Sequence, residues 1–350
     1  MTFTRRQIGT LALAATNAAK AQSKPIRVAM IGTGHGHAAS KIRALQSMPE
    51  YEWVGLCRPY ADDPAVGDIF AKQRPLQLDE ILNDPAIELV ACEFADAQRN
   101  LAHARKAVAA GKFVHLDKPP GSDFAGLQAL LEDARRRKLV VQMGYQWRYH
   151  AAMEAAMEAA RKGWLGNVYR FRASIDKPIL ADERQHLAKY KGGMMFSEGC
   201  HLIDRATALL GKPTRVTGFI HHHAVKAADN LADNNLVVLT YPNALAEISL
   251  GGFDPNGNTH RYVEILGTNG AAKAEPFSPV RLRVELKEPA GPYKAGIQHL
   301  EPPSPPGLAY TPDFAEMASV IRKGTKPTYS AEHDLMTHRV LLEACGMLAL

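Results

Sequence analysis

The chain is expected to have two unlike halves: a doubly wound parallel α/β domain, then an α+β domain built on a large, mostly antiparallel open sheet. Three observations predict this. Between residues 26 and 145, apolar strand patterns alternate with amphipathic helices, as in repeated β-α-β units. A glycine-rich turn, Gly32-Thr33-Gly34, joins the first strand to the first helix. After Gly211, strand patterns follow one another without intervening helices, which implies antiparallel pairing.

In the first half, Ile26–Ile31 is a continuous apolar run, read as a buried strand, and Ala38, Ile42 and Leu45 give the following helix its apolar stripe. Trp53–Cys57 and Ile87–Ala91 are further strands. A helix from Ala97 to Ala110 stops at Gly111, and Phe113–Leu116 returns as strand. A helix over 124–138 leads into strand Leu139–Met143. In the second half, helices over His150–Lys162 and Glu198–Leu210 each end at a glycine, and Val168–Ser174 lies between them as strand. Strands follow at Arg215–Ile220, Leu236–Tyr241, Ala244–Leu250, Tyr262–Leu266 and Val280–Leu286. Residues 301–312 are proline-rich and read as a surface crossing, and two helices close the chain.

At 350 residues the chain has room for two sizeable cores. The net charge of +6 invites a nucleic-acid reading. However, residues 1–22 resemble a twin-arginine export signal: Thr4-Arg5-Arg6-Gln7, an apolar run from Ile8 to Ala19 too short to span a bilayer, and small residues at Ala19-Lys20-Ala21. Removing them halves the charge, and the remaining basic residues are scattered, so no nucleic-acid partner and no membrane span are expected. The expected location is periplasmic or otherwise exported. The four cysteines form no Cys-x-x-Cys pair and read as small buried hydrophobes.

The glycine turn carries the first functional signal. Its first glycine permits a tight turn and its second lets the backbone approach a pyrophosphate, whose charge the helix N-terminus favours. Gly32, Thr33, Gly34 and His35 are therefore candidate dinucleotide contacts. Arg58 closes the second strand where an acid would bind a ribose hydroxyl; an arginine there suits a 2′-phosphate, so NADP is expected, with NAD as the alternative. His35 and His37, and the run His221-His222-His223, show no convergent carboxylate or cysteine at ligand spacing, so no metal is expected.

The second signal is His115-Leu116-Asp117-Lys118-Pro119-Pro120-Gly121. A lysine closing a strand, fixed by the proline after it, is placed to meet a cofactor held at the glycine turn. Together with Met143–Tyr149, Gly192–Asp204 and Val263–Gly270, these stretches resemble the Gfo/Idh/MocA oxidoreductases. The resemblance implies a Rossmann domain (25–147), a substrate and oligomerisation domain (148–350) whose last helices pack back on the first, a bound NAD(P), a sugar or polyol substrate, and a homo-oligomer formed through the open sheet. It places Lys118 as proton carrier and His201 beside it, with Pro119 at the cofactor. The family's glutamate before the lysine is Asp117 here, and its aspartate four residues before the histidine is Ser197. Glu198 is adjacent in sequence but one step round the helix, so it is not assumed to substitute.

Oxidising an alcohol requires a base for the hydroxyl proton, and burial or a nearby positive charge would bring Lys118 towards that role. Asp204 is placed to orient His201 at i,i+3 spacing. Gln146, Arg148, Lys177, Ser197 and Asp204 are the candidate substrate contacts. The expected activity is exported NAD(P)-dependent hydride transfer to or from a sugar-like compound, on a tightly held cofactor. The alternatives are a glycoside hydrolase or lyase that oxidises its sugar transiently, and a non-catalytic dinucleotide sensor.

Overall fold

The computed structural model describes residues 24–65, 67–224 and 229–348; the export-signal reading of 1–22 lies outside them. β1 (Ile26–Ile31), α1 (Ala38–Ser47), β2 (Tyr51–Cys57), α2 (Asp68–Ala71), α3 (Leu78–Asn83), β3 (Ile87–Cys92), α4 (Ala97–Ala109), β4 (Phe113–Leu116), α5 (Phe124–Arg136) and β5 (Val141–Met143) build the first layer. The five strands are parallel, in the order β2-β1-β3-β4-β5. Apart from Arg27, β1 is apolar and buried on both faces, as a central parallel strand requires. The order reverses between β1 and β3, so a crevice opens at their carboxyl ends. Gly32, β4's end and β3's end all reach that crevice.

The second half begins with a 3₁₀ turn, Gln146–Tyr149, and α6 (Ala151–Arg161). Next come β6 (Val168–Asp176), α7 (Ala181–Leu187), a π-helical turn at Met195–Gly199 and α8 (Cys200–Leu210). Strands β7 (Arg215–His221), β8 (Asn234–Thr240), β9 (Leu245–Gly251), β10 (Tyr262–Gly267), β11 (Gly270–Ala274), β12 (Leu282–Leu286) and β13 (Gly296–Leu300) complete an eight-stranded sheet, with α9 (Gly257–His260) before β10. All its pairings are antiparallel except β6 with β9. One face carries Phe171, Ala173, Ile248 and Val237 into the core. The other leaves Phe219 and Leu236 exposed.

α10 (Thr311–Lys323) and α11 (Ala331–Ala344) close the chain. Tyr310, Phe314 and Met317 pack with Ile26, Val28 and Leu45, so α10 seals the underside of β1 and α1. The four cysteines are free and buried, as their spacing indicates. No helix among the described residues is long and apolar enough to cross a membrane.

Candidate functional site

The Gly32–Gly34 turn follows β1 directly. Gly32 has φ +83°, and a Cβ there would meet the Phe94 ring at 2.7 Å. A Cβ on Gly34 would lie 2.3 Å from Asp63 Oδ1 and 2.9 Å from the Ala95 amide nitrogen. Only glycine fits either position. The Thr33 and Gly34 amides donate to Asp63 Oδ2 at 2.7 and 3.2 Å, so these donors already hold an anionic oxygen. A turn whose two glycines leave the backbone open, its amides turned to an anion at the sheet's reversal, fits a dinucleotide pyrophosphate.

Lys118 follows β4 and is buried, with Nζ donating to the Ser197 carbonyl at 3.0 Å. Its neighbour Asp117 faces the glycine turn. Lys41 Nζ lies 3.2 Å from one Asp117 oxygen, and the Nδ1 atoms of His35 and His37 face the other, His37 at 3.3 Å. Burial pushes the Asp117 pKa up, but His35, Lys41 and His37 more than reverse this and hold it well below the usual carboxylate value. His37 is lowered to about 4 by its own burial. The expectation that no carboxylate converges on His35 and His37 is thus corrected: Asp117 reaches them from 80 residues along the chain. Lys41 also pairs with Glu93 at 2.7 Å, both fully buried.

Ser197 lies in the π turn, and its carbonyl, rather than its hydroxyl, meets Lys118. Glu198 accepts from Lys177 at 3.0 Å and lies within the field of the Lys118 ammonium. Burial raises its pKa, yet the Lys118 and Lys177 ammoniums bring it well below the ordinary value, so Glu198 is a carboxylate at neutral pH. Burial alone would lower the pKa of Lys118; Glu198, with Cys200, Asp117 and Glu183, turns the shift upwards. Lys118 therefore rests as an ammonium, contrary to the expected base-like lysine. The wide π turn re-aims Glu198 towards the lysines, which a regular α-helical reading of 197–201 misses.

His201 is buried and stacks on Trp147 with ring centroids 4.6 Å apart. Burial first, then Lys118, hold it well below its usual pKa, hence neutral. Its Nδ1 has no partner among the described residues. Asp204 does not orient it. Asp204 instead accepts from Arg148 at 2.7 Å, Arg205 at 2.6 Å and His333 at 3.0 Å. Arg148 also pairs with Asp334 and stacks 4.1 Å over Tyr329. Arg148 and Asp204 are 4% and 0% exposed, so the expected substrate contacts form a buried ionic joint between the 3₁₀ turn, α8 and α11. Gln146 is half-buried and makes no side-chain hydrogen bond among the described residues. Arg58 is exposed, and its Nη2 donates to the Asp63 carbonyl at 2.8 Å.

A void of about 30 Å³ beside Lys118 is bounded by His35, Pro119, His186, Tyr190 and Ser197. A cleft of about 710 Å³ continues past Tyr190 to Asp62, Asp63, Arg99 and Lys189. Sequence reasoning missed Lys41, Glu93 and Asp63, and it set Glu198 aside where the π turn brings it to the lysines. Lys41 had a signal: it interrupts the apolar stripe of α1 between Ala38 and Ile42.

Residues 26–145 match a family model described as "Oxidoreductase family, NAD-binding Rossmann fold", and 153–273 match "GFO/IDH/MocA C-terminal domain". The chain is 30% identical over 142 residues to the uncharacterized oxidoreductase YhhX of Escherichia coli, covering 40% of each protein. It is 32% identical over 126 residues to dTDP-3,4-didehydro-2,6-dideoxy-α-D-glucose 3-reductase of Streptomyces violaceoruber, covering 35% of this chain and 37% of that one. The matched region thus spans about two fifths of these relatives' length. Among solved structures, an oxidoreductase of Agrobacterium radiobacter in complex with NAD+, L-tartaric acid and magnesium shares the fold, with a TM-score of 0.77. Its identity is 16%, and the overlap covers 92% of this chain and 96% of that one.

Proposed function

Because the chain belongs to the Gfo/Idh/MocA family of NAD-binding oxidoreductases, we propose that it transfers hydride between NADP and a sugar, polyol or related hydroxy or keto compound, with Lys118 as proton carrier. The observation that carries this is Lys118 itself: buried at the end of β4, beside an anion-holding glycine turn, hydrogen-bonded to the Ser197 carbonyl and within the field of the Glu198 carboxylate. Gly32, Thr33, Gly34 and His35 would hold the pyrophosphate, and Lys118 and Pro119 would meet the nicotinamide end. The bound nicotinamide supplies the hydride chemistry.

The protein's own part is proton management. Glu198 keeps Lys118 charged, so Nζ can give a proton to an alkoxide forming on a substrate carbonyl. The Ser197 carbonyl holds Nζ until substrate takes its place. His201, neutral and with an Nδ1 that has no partner among the described residues, can hydrogen-bond the same oxygen. Gln146 and Lys177 are the remaining polar candidates for sugar hydroxyls. The resting charge of Lys118 suits carbonyl reduction, and the reductase of a deoxysugar nucleotide among the relatives supports a sugar-like substrate. Arg58 at the end of β2 supports NADP over NAD, and the exposed Phe219 and Leu236 on the open sheet support a homo-oligomer.

Glu198→Gln tests this proton role. Reduction needs the ammonium, so its rate falls as pH rises through the Lys118 pKa. Removing the carboxylate that raises that pKa moves the falling limb of kcat to lower pH. A limb left in place would detach Glu198 from Lys118.

The export reading of residues 1–22 adds a second expectation. Free NADP is scarce outside the cytoplasm, so the cofactor should travel bound. Denaturing the purified protein should release NADP or NADPH, read by an enzymatic cycling assay that detects both forms; protein that releases neither would contradict tight carriage.

A further inference from the structure

Asp63 sits where a cofactor phosphate belongs. Its side chain comes from the strap Arg58–Pro64, between β2 and α2, and is 2% exposed. One carboxylate oxygen takes both amides of the glycine turn, from Thr33 and Gly34. The Thr33 hydroxyl closes the contact on the Pro64 carbonyl at 2.9 Å. A Cβ built on Gly34 would strike Asp63 Oδ1, Pro64 Cδ and the Ala95 amide within 2.9 Å, so turn, strap and the residues after β3 are in mutual contact. These are the two walls between which a pyrophosphate would lie.

The strap is fastened at three further points. Arg58 Nη2 donates to the Asp63 carbonyl at 2.8 Å. Asp62 takes a two-pronged hydrogen bond from Arg99 at 2.8 and 2.9 Å. Arg99 in turn lies 4.1 Å over the Tyr60 ring. The large cleft is bounded by Asp62, Asp63 and Pro64, so an entering ligand meets the strap before it meets the Thr33 and Gly34 amides.

We infer that Asp63 is an internal stand-in for the cofactor's phosphate, a carboxylate latch that must leave the glycine turn before a dinucleotide can bind. The inference rests on the dinucleotide reading of that turn and adds a regulation of it. A pyrophosphate and the Asp63 carboxylate compete for the same two N–H donors, and like charge keeps them from sharing the site. The observed affinity is therefore reduced by the fraction of molecules with the latch closed. Arg58 has a part in both states: it holds the closed strap by the Asp63 carbonyl, and strap release would free its guanidinium for a 2′-phosphate.

The test is NADPH titration of the full chain, followed by nicotinamide fluorescence, for wild type, Asp63→Ala and Asp63→Asn. Any copurified nucleotide is first stripped, and folding is checked by circular dichroism. Asp63→Ala is expected to bind roughly tenfold tighter or more. Asp63→Asn keeps the shape and an accepting oxygen but loses the charge, and is expected to fall between. Wild-type binding with an unchanged or weakened Kd in both variants would overturn the latch and leave the dinucleotide site standing. Absence of binding by all three proteins would overturn both.

Discussion

Lys118→Ala is expected to lower kcat by about 10²- to 10⁴-fold, the range a positioned general acid contributes, while NADPH affinity stays near that of the wild type. The separation of the two effects is what identifies the role. Among the described residues Lys118 Nζ has the Ser197 carbonyl as its direct hydrogen-bond partner, and its charge is favoured by Glu198 from a distance. The donors at the glycine turn are backbone amides that the substitution leaves untouched. A lysine merely packed at a strand end would behave differently: its loss would unsettle Glu198 and the α8 N-terminus, reducing stability without a selective loss of turnover. Lys118→Arg keeps the charge but holds its proton too tightly to donate it efficiently. It should therefore restore stability and leave turnover low. Steady-state kinetics on any accepted keto substrate, with Kd measured separately, decides between these outcomes.

Arg148→Met is the second large effect, and it falls on stability. Arg148 is the cation between Asp204 and Asp334, all three buried. Burial and the two carboxylates' opposing influence already show how finely the joint is balanced: Arg148 is raised well above its usual pKa, Asp204 lies well below its own, and Asp334 is raised by its burial. Removing one partner of such a group leaves a buried charge uncompensated, at a cost of about 3–5 kcal/mol. Arg205 and His333 remain on Asp204, so Asp334 bears most of the loss. The denaturant midpoint should drop with little change in slope. A wild-type midpoint with a raised KM would instead return Arg148 to the substrate-contact role read from sequence.

The parallel sheet was legible because its strands are buried on both faces and so appear as unbroken apolar runs, Ile26–Ile31 being the clearest. β11 and β13 escaped notice for the opposite reason. Gly270–Ala274 has no β-branched or aromatic residue, and Gly296–Leu300 is a mostly exposed edge. Lys118 and His201 stood out because linear motifs surround them. The groups that set their charge did not. Glu198 depends on a π turn that no residue type announces, and Asp117 meets His35, His37 and Lys41 only where the residues after β4 reach the turn that opens α1. Asp63 reads as an ordinary turn residue in Asp62-Asp63-Pro64, and its contact with Thr33 spans 30 residues. Arg148 and Asp204 read as substrate contacts in the sequence, which carries no sign that their charges meet each other in a buried joint.

The most direct measurement is isotope transfer. Wild type and Lys118→Ala, each shown to hold NADPH, are incubated with NADPH deuterated at C4 and a panel of keto sugars, and the products are weighed by mass spectrometry. Lys118-dependent hydride transfer predicts a deuterated alcohol from the wild type and a loss of about 10²-fold or more in its rate with Lys118→Ala. Equal rates of label transfer by the two proteins would contradict it.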